Sequence, residues 1–391
     1  MDLTMAAPKA PALAHKPSQD ATERRPHGAI WAQQGPALLL ALVLGGQALP
    51  ALANNFKLPY EVAAMRAMPV DPSVRPRPCP DLVNPPFQLQ HGSRYKRGDG
   101  SISQVDPQLA AAEIEATRPV RQFNRIIADM ASISLKAPQF ATAAMECVVR
   151  HLDHWASGRA YLGENSNQGE YEKKWGSITY ALAYIESRQA ATPAQRTRIE
   201  AWLSRMGHDV HAFYSRPAIW GLNSRNNNHA YWAALSCAAV GMASNDQELF
   251  HWGMSRFVAA LDDIDPSGHL PLELRRGPRA LEYHAFALGP LLLLAAIAKA
   301  NAVTVPAPGL AALHRLADSV RAGMLDPDVF TRLTGQKQTI VKPRPAEWAW
   351  AELALHIWPD STLDRQIAKD RPYFHIWLGG DLSIRYANRP R

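Results

Sequence analysis

The sequence predicts an all-α fold, an incomplete (α/α) toroid of antiparallel helix hairpins with a short C-terminal β-hairpin. Three observations carry that prediction. After residue 105, segments of helical spacing follow one another with only short Gly, Pro or Asn/Asp breaks. Residues 54–391 show no strict repeat period, no low-complexity tract and no linker, which points to one domain. The helix-opening segments carry polar and aromatic residues, which suits a ring around a central cleft better than an open solenoid.

The elements follow in order. Residues 54–104 are irregular and rich in Pro. The stretch "DPQLAAAEIEATR" then opens with Asp106-Pro107, a cap followed by a first-turn proline. Helical patterns cover 119–135, 139–156, 170–188, 193–214, 228–243, 246–264, 277–301, 309–324 and 346–357. Stretches such as "IEAWLSRMG" and "FHWGMSRFVAAL" place Trp, Leu and Ala at i, i+3 and i+4, the stripe of a helix packed on a core. Only "YFHIWLGGDLSIRYAN" alternates and breaks like a β-hairpin, around Gly379-Gly380.

The front of the chain stands apart. Residues 1–35 are polar and Ala/Pro-rich, and "GPALLLALVLGGQALPALA" follows, ending in the small-x-small site Ala51-Leu52-Ala53. That is the layout of a secretory signal over residues 1–53. Gln47 and Pro50 interrupt the apolar run, so it reads as a cleaved segment and not a membrane anchor, which needs about 20 apolar residues. The whole chain of 391 residues carries a net charge of +7. Without residues 1–53, which hold four Lys/Arg and three Asp/Glu, 38 positive charges face 32 negative ones, an excess of +6. The basic clusters are short and sit in no nucleic-acid motif, so the expected partner is an acidic polysaccharide and not a nucleic acid. A periplasmic or secreted monomer without a stable membrane anchor is expected.

Three cysteines remain after the signal: Cys79, Cys147 and Cys237. Cys237 lies within an apolar helix and reads as a small core residue. Cys79 lies in a Pro-rich stretch that needs pinning, so Cys79–Cys147 is the natural bridge in an oxidising compartment. A loop of that length contributes roughly 4 kcal/mol in the chain-entropy account.

No HExxH, nucleophile elbow, P-loop or clustered Cys/His pattern appears in the sequence. Three other stretches carry chemistry. In "NNNHAYWAA", Asn228 is placed to cap a helix starting at His229, where N–H groups and the helix dipole favour a carboxylate. His229 adds a donor or proton carrier, and Tyr231 and Trp232 offer faces for sugar rings. The plainer reading is an ordinary cap followed by core aromatics. In "LELRRGPRALEYHAFAL", Arg276 and Tyr283 lie two helical turns apart, with Arg276 at the mouth of a helix that begins near Gly277-Pro278. An arginine there favours the phenolate of a nearby tyrosine; the plainer reading is a surface arginine and a half-packed tyrosine. In "NQGEYEKKW", Gln168, Tyr171 and Trp175 share one helix face, either a sugar-binding ridge or simple aromatic anchors.

These stretches, together with "LGGDLSIRY", resemble alginate lyases of polysaccharide lyase family five, the mannuronate-specific periplasmic enzymes. The resemblance runs from about Cys79 to Tyr386, and the spacing from His229 through Arg276 to Tyr283 agrees. It implies an α/α toroid, a catalytic group of Asn228, His229, Arg276 and Tyr283, and binding roles for Tyr95, Gln168, Tyr171 and Trp175. It also supports the Cys79–Cys147 bridge. The chain departs from the family in two places. Its lid region near 92–100 reads Arg94-Tyr95-Lys96-Arg97, where the family has Lys-Tyr followed by Glu-Gly, and Gly277-Pro278 replaces a polar pair beside the arginine.

The implied reaction is β-elimination on a polyuronate. Protein groups neutralise the uronate carboxylate, which makes the C5 proton removable, so no metal or cofactor is called for. Tyr283 takes that proton and returns one to O4, because in mannuronate both lie on one face. His229 is the fallback base for an epimer with the opposite C5. Arg94 and the lid charges, with Trp232 in the cleft, complete the expected binding set, and polyglucuronate is an expected second substrate. A toroid-fold glycoside hydrolase, needing two flanking carboxylates, and a non-catalytic polysaccharide-binding or secretion-scaffold protein are the alternatives.

Overall fold

Helix hairpins dominate the chain because cap and breaker residues fall where the apolar periods end. The computed structural model describes residues 56–69, 75–216 and 225–387, and the expected signal, residues 1–53, lies outside them. In chain order the helices are α1 (Val62–Arg66), α2 (Pro107–Ala116), α3 (Arg118–Lys136), α4 (Ala141–Ser157) and α5 (Asn167–Ser187). Then come α6 (Pro193–Ser215), α7 (Asn228–Ser244), α8 (Gln247–Ala260), α9 (Pro271–Leu274) and α10 (Ala280–Ala300). The last are α11 (Ala307–Leu325), α12 (Asp328–Thr334), α13 (Trp350–Ile357), α14 (Ser361–Ile367) and α15 (Leu382–Tyr386). Strands β1 (Phe374–His375) and β2 (Gly380–Asp381) pair antiparallel just before α15.

The starts are chemically specified. Asp106 accepts from the Gln108 and Leu109 amides to open α2, and Thr192 with Gln195 forms a capping box on α6. Ser166 caps α5 and Asp246 caps α8.

Packing turns these hairpins into a ring. Helices α3, α5, α7, α10 and α13 each pack on the next and form the inner layer. Helices α4, α6 and α8 run outside them, and α11 covers α10. The ring does not close on itself, because β2 and α15 fill the space between α13 and α3. The expected incomplete toroid is therefore the observed one. Helix α10 is apolar all round and almost wholly buried, as a core helix should be. Gly277–Ala300 is also long and apolar enough to cross a membrane, but 78% of its most apolar window is buried within the fold.

Three expectations need correcting. The C-terminal hairpin is only two residues long on each side, and "LSIRY" is a helix, because Asp381 accepts from the Ile384 amide and caps it. The expected helix over 277–301 begins properly at Ala280, since Gly277 takes a φ of +55° and Gly277–Arg279 form a 3-10 turn. The expected helix over 346–357 likewise starts only at Trp350.

Cys79 and Cys147 form the expected disulfide, which suits an oxidising compartment, and Cys237 is free and buried. From that bridge the irregular segment runs along α4 toward α5. Val83 accepts from the Trp155 indole at 2.8 Å, Pro86 from the Tyr161 amide at 2.9 Å and Leu89 from the Ser166 amide at 3.1 Å. Leu89 crosses so close to Gly169 that a Cβ there would sit 2.2 Å from its carbonyl oxygen. The segment is thus held rigidly up to the point where the lid begins.

Candidate active site

The first turns of α5, α7 and α10 open into a cleft of about 960 Å³. Helix N-termini are the positive ends of the helix dipoles, which favours an anion in the cleft. Its roof is the lid, where Lys96 and Gln104 pair and Tyr95 bridges to Val105. Asp99 knots the tip together, accepting from the Ser101 hydroxyl and from the Ser103 and Gln104 amides. Those bonds, the Ser101 hydroxyl first, hold its carboxyl well below the usual carboxylate range.

Beneath the lid the tyrosine and arginine motifs meet. The Tyr283 hydroxyl lies 2.6 Å from that of Tyr95 on the lid. The Arg276 guanidinium stacks on the Tyr283 ring, 3.5 Å from its centroid, although Arg276 stands just outside the helix. Its Nε donates to Ser101 O at 2.9 Å and its Nη2 to Ile102 O, so it also ties the lid down. The expected arginine effect on Tyr283 is present but loses. Burial raises the phenol well above its ordinary value, and Arg276 pulls it back only in part. Tyr283 therefore rests as a neutral phenol.

His229 faces the same cleft from the start of α7. Its ring packs 4.2 Å from Tyr171 and 5.7 Å from Trp175. Burial first, then the charges of Lys174 and Arg276, push its pKa well below the usual histidine value, so the ring is neutral. The cap of α7 is Asn227 and not Asn228: the Asn227 side chain accepts from the His229 amide at 3.0 Å. Asn228 is the first helical residue and is fully buried. Its amide Nδ2 donates to Glu273 Oε1 at 2.8 Å and its backbone N–H to the same oxygen at 2.9 Å. Asn228 thus stands behind the cleft wall, while Asn227 and His229 line it.

Gln168, Tyr171 and Trp175 line the cleft from α5, on one face as their spacing requires. Trp232 touches the cleft boundary but is fully buried, wedged 4.9 Å from Phe286 and 5.9 Å from His375, so it offers no open face to a sugar ring. Tyr231 is also buried and spends its hydroxyl on Asp263 at 2.9 Å. Helix α7 is apolar on every side, which leaves no stripe in the sequence to say which residues face the cleft. Arg94 lines the cleft, but its Nε donates to the buried Glu113 at 2.8 Å, which tempers its pull on a substrate.

Several cleft residues had no sequence signal. Trp377 stacks on Trp175 at 4.5 Å from a position 202 residues away. Phe286 joins them from α10, 6.0 Å from each ring. Glu172, Arg279 and Arg344 also reach the cleft. Chain separation hides Trp377 and Arg344, whereas Phe286, Arg279 and Glu172 sit inside the quoted stretches and only the packing of their helices shows that they face the cleft.

The ring of helix hairpins is shared with solved enzymes. Alginate lyase A1-III from Sphingomonas species A1 superposes with a TM-score of 0.68 at 24% identity, covering 85% of this chain and 96% of that one. A histidine-to-alanine variant of alginate lyase A1-III, complexed with tetrasaccharide, superposes with a TM-score of 0.70 at 23% identity, covering 86% and 96%. At that identity the likeness speaks for the fold alone, and it defines the chain as an incomplete α/α toroid. Sequence comparison goes further. Residues 16–330 match the family described as alginate lyase. An alginate lyase of Azotobacter vinelandii is 32% identical over 357 residues, spanning 86% of this chain and 94% of that protein. A polysaccharide lyase of Stenotrophomonas maltophilia is 33% identical over 290 residues, spanning 73% and 84%. This chain belongs to the alginate lyase family.

Proposed function

We propose that the protein is an exported lyase that cleaves polymannuronate by β-elimination, leaving an unsaturated uronate at the new end. One observation supports this reading above the others: the neutral phenol of Tyr283 carries a cation, Arg276, stacked on its ring and has a second hydroxyl, Tyr95, beside its own, inside the cleft. A phenol that is not ionised can still serve a syn elimination. Its oxygen receives the C5 proton while its own proton passes to O4; C5–H and C4–O4 break, and C4=C5 and O4–H form. The oxygen gains and loses one proton, and no phenolate has to persist. Arg276 stabilises the charge that gathers on the enolate-like carboxylate in the transition state. His229 faces that carboxylate, and Asn228 supports the clamp from behind unless its amide turns away from Glu273. Gln168, Tyr171 and Trp175 form the sugar-facing wall.

Lys96 and Arg97 are exposed on the lid at the edge of the cleft. Their attraction for any polyuronate is long-range and blind to ring stereochemistry, so polyglucuronate is a second substrate in this proposal. Export rests on the disulfide and on the layout of residues 1–53. The hydrolase alternative is disfavoured by the cleft carboxylates. Glu113 is held by Arg94 and Arg121, Glu282 by Arg279, and Glu347 by Arg344. Asp99 is knotted into the lid tip, and Glu172, raised to about 7 by burial, faces no unengaged carboxylate among the described cleft residues, so no acid has a matched partner. A panel of polymannuronate, polyguluronate, polyglucuronate and pectate, followed by the ultraviolet absorbance of the new C4–C5 double bond, tests the reading. Polymannuronate should give the fastest rise. Reducing ends without that absorbance would establish a hydrolase, and binding without either would establish a non-catalytic protein.

A further inference from the structure

One buried amine beside the site has no ion-pair partner at contact distance, although Glu172 on the same helix still attracts it from further off. Lys174 on α5 is fully buried. Among the described residues no carboxylate lies within ion-pair distance of its amine, whereas the neighbouring Lys173 bonds Glu170 at 3.0 Å. The amine sits in an aromatic cage, 4.5 Å from the Tyr171 ring, 4.7 Å from Trp175 and 5.1 Å from Tyr214. It has two polar neighbours: the Tyr214 hydroxyl at 2.8 Å and His229 Nδ1 at 2.8 Å. Burying an amine this way costs several kcal/mol, and a helix does not retain it for packing when a methionine fills the same space.

We infer that Lys174 is a positioning residue that donates to His229 Nδ1 and thereby fixes the imidazole as the Nε2–H tautomer. Whether ammonium or amine, Nζ carries at least two N–H groups, enough for both neighbours. With Nδ1 taken by the lysine, Nε2 is the nitrogen left for the cleft that His229 lines. A protonated Nε2 donates a hydrogen bond to a uronate carboxylate, and it cannot accept a proton from carbon. Lys174 thus makes His229 part of the clamp and bars it from acting as a base. The consequence is stereochemical. An elimination from the opposite C5 epimer needs a base across the ring from Tyr283, and the lysine removes that base. Lys174 becomes a determinant of which uronate is cleaved, an inference that rests on the eliminase reading above.

The charged and titratable groups facing His229 are Lys174, Arg276 and Tyr171, with Tyr214 behind the amine. Both cations depress the His229 pKa along with burial. Removing the lysine therefore raises it, and the acid limb of kcat/KM moves to higher pH. The test has two parts. Long-range 1H–15N correlation on histidine-labelled wild-type enzyme, with His229 assigned from the spectrum of His229→Gln, reads the tautomer directly. The expected result is a protonated Nε2 and an unprotonated Nδ1; the reverse overturns the inference, whether or not any polymer is cleaved. Lys174→Met should then lower kcat on polymannuronate roughly 10- to 100-fold, less than the loss of a donor that touches the charge itself, with KM changed less than about threefold. Its acid limb should move up in pH and its polyguluronate-to-polymannuronate ratio should rise. An acid limb and a ratio that both stay at wild-type values overturn the specificity role. Should Lys174→Met not fold, the wild-type tautomer decides alone. Should no polymer be cleaved by the wild type, the eliminase reading fails while the tautomer assignment is still decided.

Discussion

Helix α5 buries a charge in each half, and the fold treats the two in opposite ways. In its second half Glu186 meets Arg385 through two bonds of 2.8 Å and takes a third, of 2.5 Å, from the Tyr60 hydroxyl. In its first half Lys174 has aromatic rings, a phenol and an imidazole, and among the described residues no carboxylate within ion-pair distance. The first arrangement is a satisfied network that pins the C-terminal α15 across the gap in the ring. The second leaves an amine whose pKa burial pushes well below the ordinary lysine value. A fold tolerates such an uncompensated group where it serves the chemistry, and perturbed groups gather at working sites for that reason. One helix thus carries a clasp at one end and, in the reaction proposed above, a positioning group beside His229 at the other.

That contrast can be broken by substitution. Arg385→Met leaves Glu186 buried without its partner and should cost about 3–5 kcal/mol of stability, read as a large fall in Tm or in the denaturant midpoint. The folded fraction should keep its specific activity; a large loss of specific activity instead would mean that the clasp also shapes the site. Arg276→Ala should do the reverse, lowering kcat by about 10²–10³ with a small change in Tm, because a stabilising donor is lost. A change confined to KM would assign Arg276 to ground-state binding only.

Stability should also follow the buried histidines as pH falls. Burial holds His284 at about 3 and His375 at about 4, and depresses His151 and His229 as well. Each is neutral when folded and protonates readily when unfolded. Their contribution is complete above the ordinary histidine pKa and is lost as pH drops through the folded values. Glu172, raised to about 7 by burial, pulls the other way, as do Glu273 and Asp263, also raised by burial, but the four histidines titrate across pH 5 to 7 from their ordinary value and outweigh these three. Tm should therefore be lower at pH 5 than at pH 7, and an equal or higher value at pH 5 would contradict the burial argument. The smallest effect belongs to the lid. Replacing Lys96 and Arg97 by Glu-Gly should raise KM a few-fold for every polyuronate and flatten its salt dependence. An unchanged salt response would mark these charges as solvated bystanders.

The sequence carried the helices well and the cleft only in part. Apolar period and cap residues such as Asp106, Thr192 and Asp246 act locally, so most helix starts were legible within a few residues. The arginine, tyrosine and histidine of the centre were legible because they sit in short motifs beside helix openings. Lys174 was not: in "EKKW" it looks like one of three charges on a solvated face, and only the packing of α6 and α7 around it shows otherwise. Trp232 was misjudged and Trp377 missed for a related reason. Which aromatic faces the cleft depends on neighbours far along the chain, and α7 offers no polar stripe to orient it.

In the proposed reaction everything turns on the Tyr283 hydroxyl, which moves a proton between C5 and O4. Tyr283→Phe keeps the ring against Arg276 and removes only that hydroxyl, so the decisive measurement is its rate of unsaturated product formation on polymannuronate, beside its affinity for the same polymer. The expected result is almost no absorbance rise, with binding and thermal unfolding close to wild type. A rate near that of the wild type would contradict it and take the tyrosine out of the proton transfer.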